Sequence, residues 1–100
     1  MTRALLCSRH ADLDLDEIFD FIATDNPRRA RSCIEEIRQT CRGLCDAPLT
    51  GTARPDLQPD LRIMIFRRRV VIGYRVLSDQ LEILRVFTGG RDYQTIMGSK

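Results

Sequence analysis

The order of apolar patterns along this 100-residue chain predicts an α+β domain with the layout β-α-α-β-β-β. Two segments with the apolar spacing of helices come first, and three runs rich in Ile, Val, Leu and aromatic residues follow them. The short connections between these runs indicate antiparallel neighbours. The sequence therefore predicts an αα-hairpin packed on one face of a small antiparallel sheet, within a single domain of residues 1–100.

The first helix is predicted after a short strand, "RALLC", at residues 3–7. Ser8 is placed to act as its N-cap. Apolar residues then recur at i, i+3, i+4 and i+7, the spacing of one helix face, at Leu15, Ile18, Phe19 and Ile22. Four acidic residues fall in the first turns, where the helix dipole favours negative charge, and we expect them on a solvated face: Asp12, Asp14, Asp16 and Glu17.

The second helix is predicted to begin after the break "TDNP" at residues 24–27. Asp25 or Asn26 can cap it, and Pro27 suits the first helical position. Helical spacing is then kept for four turns, at Ala30, Ile34, Ile37, Cys41 and Leu44. A polar loop rich in Pro and Gly follows and leads to the strands.

Three runs in the second half of the chain have the composition of strands, with short breaks within "RRR" and at "SD". They are "LRIMIF" at residues 61–66, "RVVIGYRVL" at 69–77 and "QLEILRVF" at 80–87. Their apolar positions and those of the helices define the expected core. It consists of Leu15, Ile18, Ile22, Ile34, Ile37, Cys41, Leu44, Ile72, Val76, Ile83 and Val86.

A turn at Ser78-Asp79 fixes an expected register between the last two strands. In a regular antiparallel ladder three pairs then face each other: Arg75 with Glu82, Tyr74 with Ile83, and Ile72 with Arg85. The first of these pairs is predicted to form a cross-strand ion pair.

Charge is distributed unevenly along the chain, although the net charge is only +2. Residues 1–60 hold eight Arg and eleven Asp or Glu, whereas residues 61–100 hold seven Arg, one Lys and three Asp or Glu. A basic second part indicates an anionic partner. No apolar run approaches the roughly 20 residues of a transmembrane helix, and the N-terminus lacks the pattern of a signal peptide, so a cytoplasmic location is expected.

The motifs of the common enzyme classes are missing from the sequence. There is no Gly-rich phosphate loop, no GxSxG and no His/Cys set with metal-ligand spacing, so neither a cofactor nor a metal is expected. His10 is the only histidine, and its place near a helix start makes it an improbable general base. The four cysteines are expected to be buried or half-buried thiols: Cys7, Cys33, Cys41 and Cys45.

Arginines on or beside the strands form the candidate binding surface, with Tyr74 and Tyr93 interleaved. They are Arg62, Arg67, Arg68, Arg69, Arg75, Arg85 and Arg91. Guanidinium groups bind carboxylates and phosphates in forked geometry, so this surface is suited to an acidic protein segment. It equally suits RNA phosphates with a base stacked on a tyrosine. The alternative is that the charge only keeps the hairpin soluble.

A series of short motifs covers almost the whole chain, from about Ala4 to Tyr93. In order these are Ala11, Asp14-Leu15, Ile18, Phe21-Ile22, Asn26-Pro27, Ala30, Leu44, Pro48, Gly51, Arg54-Pro55-Asp56-Leu57, Leu61-Arg62, "VVIGYRV", "LEILRVF" and Arg91-Asp92. Their order and spacing resemble the ParE toxins of bacterial toxin–antitoxin systems, which include plasmid stabilisation systems. The RelE ribonucleases share the fold that this resemblance implies.

The resemblance implies a toxin held inactive by a cognate antitoxin whose acidic, partly disordered C-terminal segment folds on binding. By analogy, two toxins and two antitoxins form a heterotetramer. ParE-type toxins block DNA gyrase without catalysis, whereas RelE-type relatives cut mRNA on the ribosome. In the RelE case the implied catalytic residues are Arg62, Arg69, Arg91 and Tyr93. Thr88 stands where many ParE members carry His, so an inactive antitoxin-binding module is a third possibility.

Overall fold

The computed structural model describes residues 3–67, 69–88 and 93–98. The elements are β1 (Ala4–Cys7), α1 (Arg9–Ala23), α2 (Pro27–Asp46), β2 (Thr52–Ala53), β3 (Arg62–Phe66), β4 (Val70–Val76), β5 (Gln80–Phe87) and α3 (Tyr93–Gly98). The α+β layout is confirmed, and the short elements β2 and α3 are additions to it. None of the helices in the described ranges is long and apolar enough to cross a bilayer.

The five strands form one mixed sheet in the order β1-β5-β4-β3-β2. Strands β2 to β5 pair as antiparallel neighbours, as expected for the last three runs, whereas β1, for which no partner was predicted, lies parallel to β5 and makes the sheet mixed. The reason is that strands β3 to β5 are joined by short turns, whereas the chain between β1 and the rest of the sheet runs through the αα-hairpin.

The predicted caps define both long helices. The Ser8 hydroxyl accepts a hydrogen bond from the Ala11 N–H at 3.0 Å, and the Asn26 side chain accepts one from the Arg29 N–H at 3.1 Å. Pro27 occupies the first turn of α2, where its missing N–H has no helical acceptor to serve. Local chemistry at these positions is therefore sufficient to place the start of each helix.

The main core lies between the αα-hairpin and the face of the sheet that it covers, the helix face. Eight of the residues expected there are buried, while Ile22, Ile34 and Val76 are half-buried and pack against the others. A second cluster lies on the opposite face of the sheet, the open face, which α3 partly covers. It is made of Leu61, Ile63, Phe87 and Met97.

The register between β4 and β5 follows the prediction at one end only. Arg75 pairs with Glu82, and Tyr74 with Ile83, as expected. The third predicted pair was wrong, because Ile72 lies opposite Val86 and Gly73 lies opposite Arg85. A β-bulge at this point leaves one extra residue in β5, which shifts the ladder by one position. Gly73 also lacks the Cβ that would lie 3.1 Å from the Met97 side chain, so α3 packs closely there.

Candidate partner-binding site

Two exposed arginines are among the described residues of the turn between β3 and β4. Arg67 has a side chain that is 70% exposed, and its guanidinium lies 3.5 Å from a Glu36 carboxylate oxygen and 5.4 Å from the centre of the Phe66 ring. Arg69 is also exposed, and its backbone N–H closes the turn on the Phe66 carbonyl at 3.2 Å. Both guanidinium groups are therefore accessible to a partner at this end of the sheet. Arg68 lies outside the described residues.

Backbone geometry sets Arg67 apart from the other arginines that the structure describes. Its φ angle is 53°, in the left-handed region that glycine occupies most easily. A non-glycine residue there costs about 1–2 kcal/mol, whereas an exposed ion pair such as that with Glu36 returns about 0–1 kcal/mol. The contact with the Phe66 ring returns about 0.5–1 kcal/mol more, so the described contacts roughly offset the strain and give an arginine no net stability advantage at this position.

Arg62 has a different role, because it holds a loop. Its guanidinium donates to the Gly51 carbonyl at 3.1 and 2.7 Å and to the Leu49 carbonyl at 3.2 Å. The paired residue Tyr74 fixes the same loop, since its hydroxyl donates to the Pro48 carbonyl at 2.7 Å and accepts from the Gly51 N–H at 2.9 Å. A Cβ on Gly51 would lie 2.6 Å from that hydroxyl, so only glycine fits.

The burial of Tyr74 corrects one interpretation of the sequence. The side chain is fully buried on the helix face, so it is not available to stack against an RNA base. Both of its hydroxyl partners are backbone groups of the 48–51 loop. Tyr74 is therefore a core residue with a satisfied polar end.

Arg85 also serves the fold, through a buried carboxylate. Its guanidinium makes a forked pair with Asp14, at 2.8 and 3.0 Å, and the same carboxylate accepts the Val86 N–H at 2.9 Å. The hydrogen bond to Asp14 raises the pKa of Arg85 above its ordinary value. Asp14 is only 5% exposed, so the expectation that this acid lies on a solvated face was wrong.

The position of Asp14 follows from the shape of the sheet. Strand β1 pairs only with residues Gln80 to Ile83 of β5, so the later half of β5 has no strand beside it on that side within the described residues. Side chains from the start of α1 take over: the Ser8 hydroxyl donates to the Leu84 carbonyl at 2.8 Å, and Asp14 accepts from Val86. These contacts protect an otherwise open strand edge.

Arg75 forms the predicted ion pair with Glu82, at 2.7 Å, on the open face of the sheet. The Arg75 side chain is 45% exposed, whereas that of Glu82 is 16% exposed. An exposed pair of this kind contributes roughly 0–1 kcal/mol to stability. Arg75 therefore remains accessible to a partner at little cost to the fold.

A groove of about 370 Å³ lies where the β2–β3 edge meets α3. Its lining combines hydroxyl, cationic and apolar side chains, including Thr52, Arg54, Ile65 and Tyr93. Arg54 makes a forked pair with Asp56 at 3.0 and 2.9 Å, and the hydrogen bond to Asp56 raises the pKa of Arg54. The sequence interpretation did not place Arg54 in the candidate site, although the "RPDL" motif contains it.

The groove borders a strand edge that is open to solvent. Within the described part of the chain, β2 pairs only with Arg62 and Ile63 of β3. Ile65, the next residue of β3 on the open face, is 55% exposed. Unpaired backbone groups beside an exposed apolar side chain are the features to which an extended segment of a partner can bind.

Among the residues implied by the RelE case that the structure describes, Arg62 is not brought together with Arg69 or Tyr93. Side chains alternate along β3, so Arg62 lies on the face opposite Leu61 and Ile63, against which Tyr93 packs. Strand β3 extends about 13 Å from Arg62 to its far end at Phe66, at ~3.3 Å per residue, and Arg69 lies beyond that end. Arg91, like the neighbouring Gly89, Gly90 and Asp92, lies outside the described residues.

All four cysteines are free thiols, buried or half-buried as expected. Burial raises the pKa of Cys41 to about 12, and it is the main cause of the raised pKa of Cys7, Cys33 and Cys45 as well. Such thiols are poor nucleophiles. Within the described ranges no three His, Cys, Asp or Glu side chains cluster as metal ligands would.

Comparison with known families decides the identity of the chain. Residues 5–93 match the model of the ParE toxin of type II toxin–antitoxin systems, parDE. The chain belongs to the ParE toxin family. A ParE toxin is one half of a two-component system, so the family implies a cognate antitoxin as the partner of this chain.

Solved structures agree with the assignment to ParE. The fold is similar to that of a chain in the chromosomal ParDE system from P. aeruginosa, with 26% identity and a TM-score of 0.73 over 87% of this chain and 96% of that one. It also resembles the conserved hypothetical protein HP0894 from Helicobacter pylori in fold, with 17% identity and a TM-score of 0.51 over 91% and 98% of the two chains. No curated protein gives a significant match.

Proposed function

We propose that this ParE toxin inhibits DNA gyrase without catalysing a reaction, and that an antitoxin with an acidic C-terminal segment neutralises it in the cytoplasm. The observation that carries the non-enzymatic reading is the separation of Arg62 from Tyr93 and Arg69. Arg62 is engaged with loop carbonyls on one face of β3, while Tyr93 packs on the other.

The groups that RNA cleavage requires also favour a toxin that is not a ribonuclease. Cleavage at a 2′-hydroxyl needs a base, a group that stabilises negative charge and a proton donor to the leaving oxygen. These groups must contact the 2′-hydroxyl, the phosphate and the leaving oxygen of one scissile linkage, so they must lie close together. Arg62 is engaged with the Gly51 and Leu49 carbonyls at the opposite end of β3 from Arg69, and an arginine, which stays protonated at neutral pH, is a poor base.

The accessible arginines suit an acidic antitoxin segment. Arg67, Arg69 and Arg75 each have an exposed side chain, whereas Arg62 and Arg85 are already engaged within the fold. Carboxylates of a disordered antitoxin segment can pair with these three exposed arginines. The apolar residues of the same segment can cover Ile65 and the groove beside β3. Complementary charge of this kind mainly raises the rate of association.

Two assays on the same preparation test the proposed activity. Purified toxin is added to gyrase and relaxed plasmid, and supercoiling is expected to be blocked in proportion to the toxin and restored by the antitoxin. In cells that express the toxin alone, primer extension on abundant mRNAs is expected to show no new ends.

Ribosome-dependent mRNA cuts that disappear in Arg69→Ala would contradict the proposal and favour the RelE-type alternative. Antitoxin binding without either activity would instead identify an inactive binding module.

A further inference from the structure

The exposed face of α2 is unusually basic. Between Arg28 and Arg42 eight residues of the helix are exposed, and five of these are arginines. We call these five the α2 basic face: Arg28, Arg29, Arg31, Arg38 and Arg42. The first turn of α2 contains no acidic residue, so its arginines lie at the positive end of the helix dipole, where cations are disfavoured. Helix stability therefore does not explain Arg28 and Arg29.

Few carboxylates neutralise the α2 basic face. Glu35 pairs with Arg42 at 3.0 Å, and Glu36 lies 3.5 Å from Arg67 of the β3–β4 turn. Among the residues that the structure describes, the other four arginines of the face form no ion pair. Arg67 and Arg69 extend the positive surface beyond the helix, because the contact with Glu36 places the turn beside α2.

The face contains no apolar anchor. Its other exposed residues are Ser32, Glu35 and Gln39, and none of the exposed large apolar side chains of the protein lies on α2. Protein partners normally need aromatic or aliphatic side chains at the centre of an interface. Nucleic acid backbones are bound by arginines and small polar groups such as Ser and Gln, which make up this face apart from Glu35, whose carboxylate is paired with Arg42.

The neighbouring helix shows the opposite character. The exposed residues of α1 include Asp12, Asp16, Glu17 and Asp20, together with the apolar side chains of Leu13 and Phe21, which are 52% and 83% exposed. An anionic polymer is repelled by α1 and attracted by α2, so it is confined to one side of the αα-hairpin. Arg28 and Arg42 are 14 residues apart, which corresponds to about 21 Å of helix.

We propose that the α2 basic face binds the sugar-phosphate backbone of duplex DNA without reading its sequence. The contact goes beyond gyrase inhibition, because it gives the toxin a direct affinity for DNA, which is also the substrate of gyrase. Its test uses free duplex, so its failure and the failure of gyrase inhibition are distinguishable.

The test is the salt dependence of DNA binding by the purified full-length chain. A fluorescein-labelled 20-base-pair duplex is titrated between 50 and 200 mM KCl, and anisotropy gives the affinity. Each neutralised phosphate contributes about 0.9 to the slope of log K against log salt concentration, so four unpaired arginines give a slope of about −3.6. We expect Arg31→Gln and Arg38→Gln each to lower its magnitude by about 0.9.

Arg9→Gln is the matched control, since it removes one exposed arginine from α1 instead of α2. Glutamine has a helix propensity close to that of arginine, so all three variants should keep the wild-type urea midpoint. Unchanged slopes in Arg31→Gln and Arg38→Gln would overturn the proposal, as would an equal change in Arg9→Gln. Poly-glutamate that displaces the toxin at lower charge concentration than unlabelled duplex would also overturn it and identify an acidic protein partner.

Discussion

The arginines of this toxin fall into two groups that the structure uses in opposite ways. Arg62 and Arg85 lie against loop carbonyls and a buried carboxylate, and their hydrogen-bonding groups are engaged within the fold. Arg67 and Arg69 lie at an exposed turn, where Arg67 makes a 3.5 Å ion pair with Glu36 and a contact with the Phe66 ring. The comparison shows that the acceptor geometry around a guanidinium decides its role, since all four residues come from the same basic part of the sequence.

The largest expected effect is that of removing Asp14, the carboxylate that engages Arg85 within the fold. Replacing Asp14 with Ala leaves the Arg85 charge and the Val86 N–H without their acceptor, and removal of one partner from a buried ion pair costs about 3–5 kcal/mol. Urea unfolding measures the change. Asp16→Ala, on the exposed side of the same helix, is the control and should stay within about 0.5 kcal/mol of wild type. A loss below about 1 kcal/mol for Asp14→Ala would show that this pair does not hold the sheet edge.

A smaller effect is expected from Tyr74→Phe, which tests whether Arg62 can hold the 48–51 loop without the Tyr74 hydroxyl. The variant removes both hydrogen bonds of the buried hydroxyl and leaves Arg62 alone to hold the 48–51 loop. An unsatisfied buried group costs about 1–3 kcal/mol, so the free energy of unfolding should fall by that amount. Tyr93→Phe removes a hydroxyl from a half-buried tyrosine and should cost less. Equal stability of Tyr74→Phe and wild type would mean that Arg62 is sufficient.

Cys41, on the buried face of the basic helix α2, predicts how stability changes with pH. Burial raises its pKa from 9.0 to about 12, so the folded chain keeps a thiol proton that the unfolded chain loses above pH 9. Above pH 9 the unfolded state therefore binds fewer protons than the folded state. The stability that Cys41 contributes through its raised pKa is complete below pH 9 and is lost as the pH rises towards 12. At pH 10 the loss is about 1.4 kcal/mol.

Urea midpoints at pH 7 and pH 10 test the prediction for Cys41. Cys41→Ala lacks the titrating group, so its stability should fall less than that of wild type over the same interval. Identical losses in the two proteins would show that Cys41 ionises with its ordinary pKa in the folded state.

The smallest expected effect is that of replacing Arg67, one of the exposed turn arginines, with glycine. Glycine adopts the φ angle of 53° without strain but costs entropy in the unfolded chain, so Arg67→Gly should stay within about 0.5 kcal/mol of wild type. Thermal unfolding at low salt measures the difference. A loss above about 1.5 kcal/mol would place Arg67 with the engaged arginines and remove the distinction between the two groups.

Much of the fold could be predicted because its signals are local. The Ser8 and Asn26 caps and the apolar spacing of α1 and α2 depend on residues a few positions apart. The shift in register could not be predicted by counting from the Ser78-Asp79 turn, because the β-bulge adds a residue in mid-strand. Gly73 was the available signal, since glycine inside a strand often marks such a bulge.

The candidate site was less predictable because it depends on contacts across the chain. Asp14 and Arg85 are 71 positions apart, and the acidic pattern of α1 gave no sign of which acid is buried. Arg62 and Arg67 looked equivalent in the sequence, because nothing in it marks the loop carbonyls that accept hydrogen bonds from Arg62. Averaging charge over residues 1–60 also concealed the contrast between acidic α1 and basic α2.

The central claim is that the turn arginines serve a partner and the engaged arginines serve the fold. Stopped-flow association with the cognate antitoxin, at two salt concentrations, tests it for wild type and for Arg67→Ser combined with Arg69→Ser. We expect the double variant to associate more slowly and with a flatter salt dependence, while its urea midpoint is unchanged. Parallel salt slopes for the two proteins would contradict the claim and leave solubility as the role of the turn.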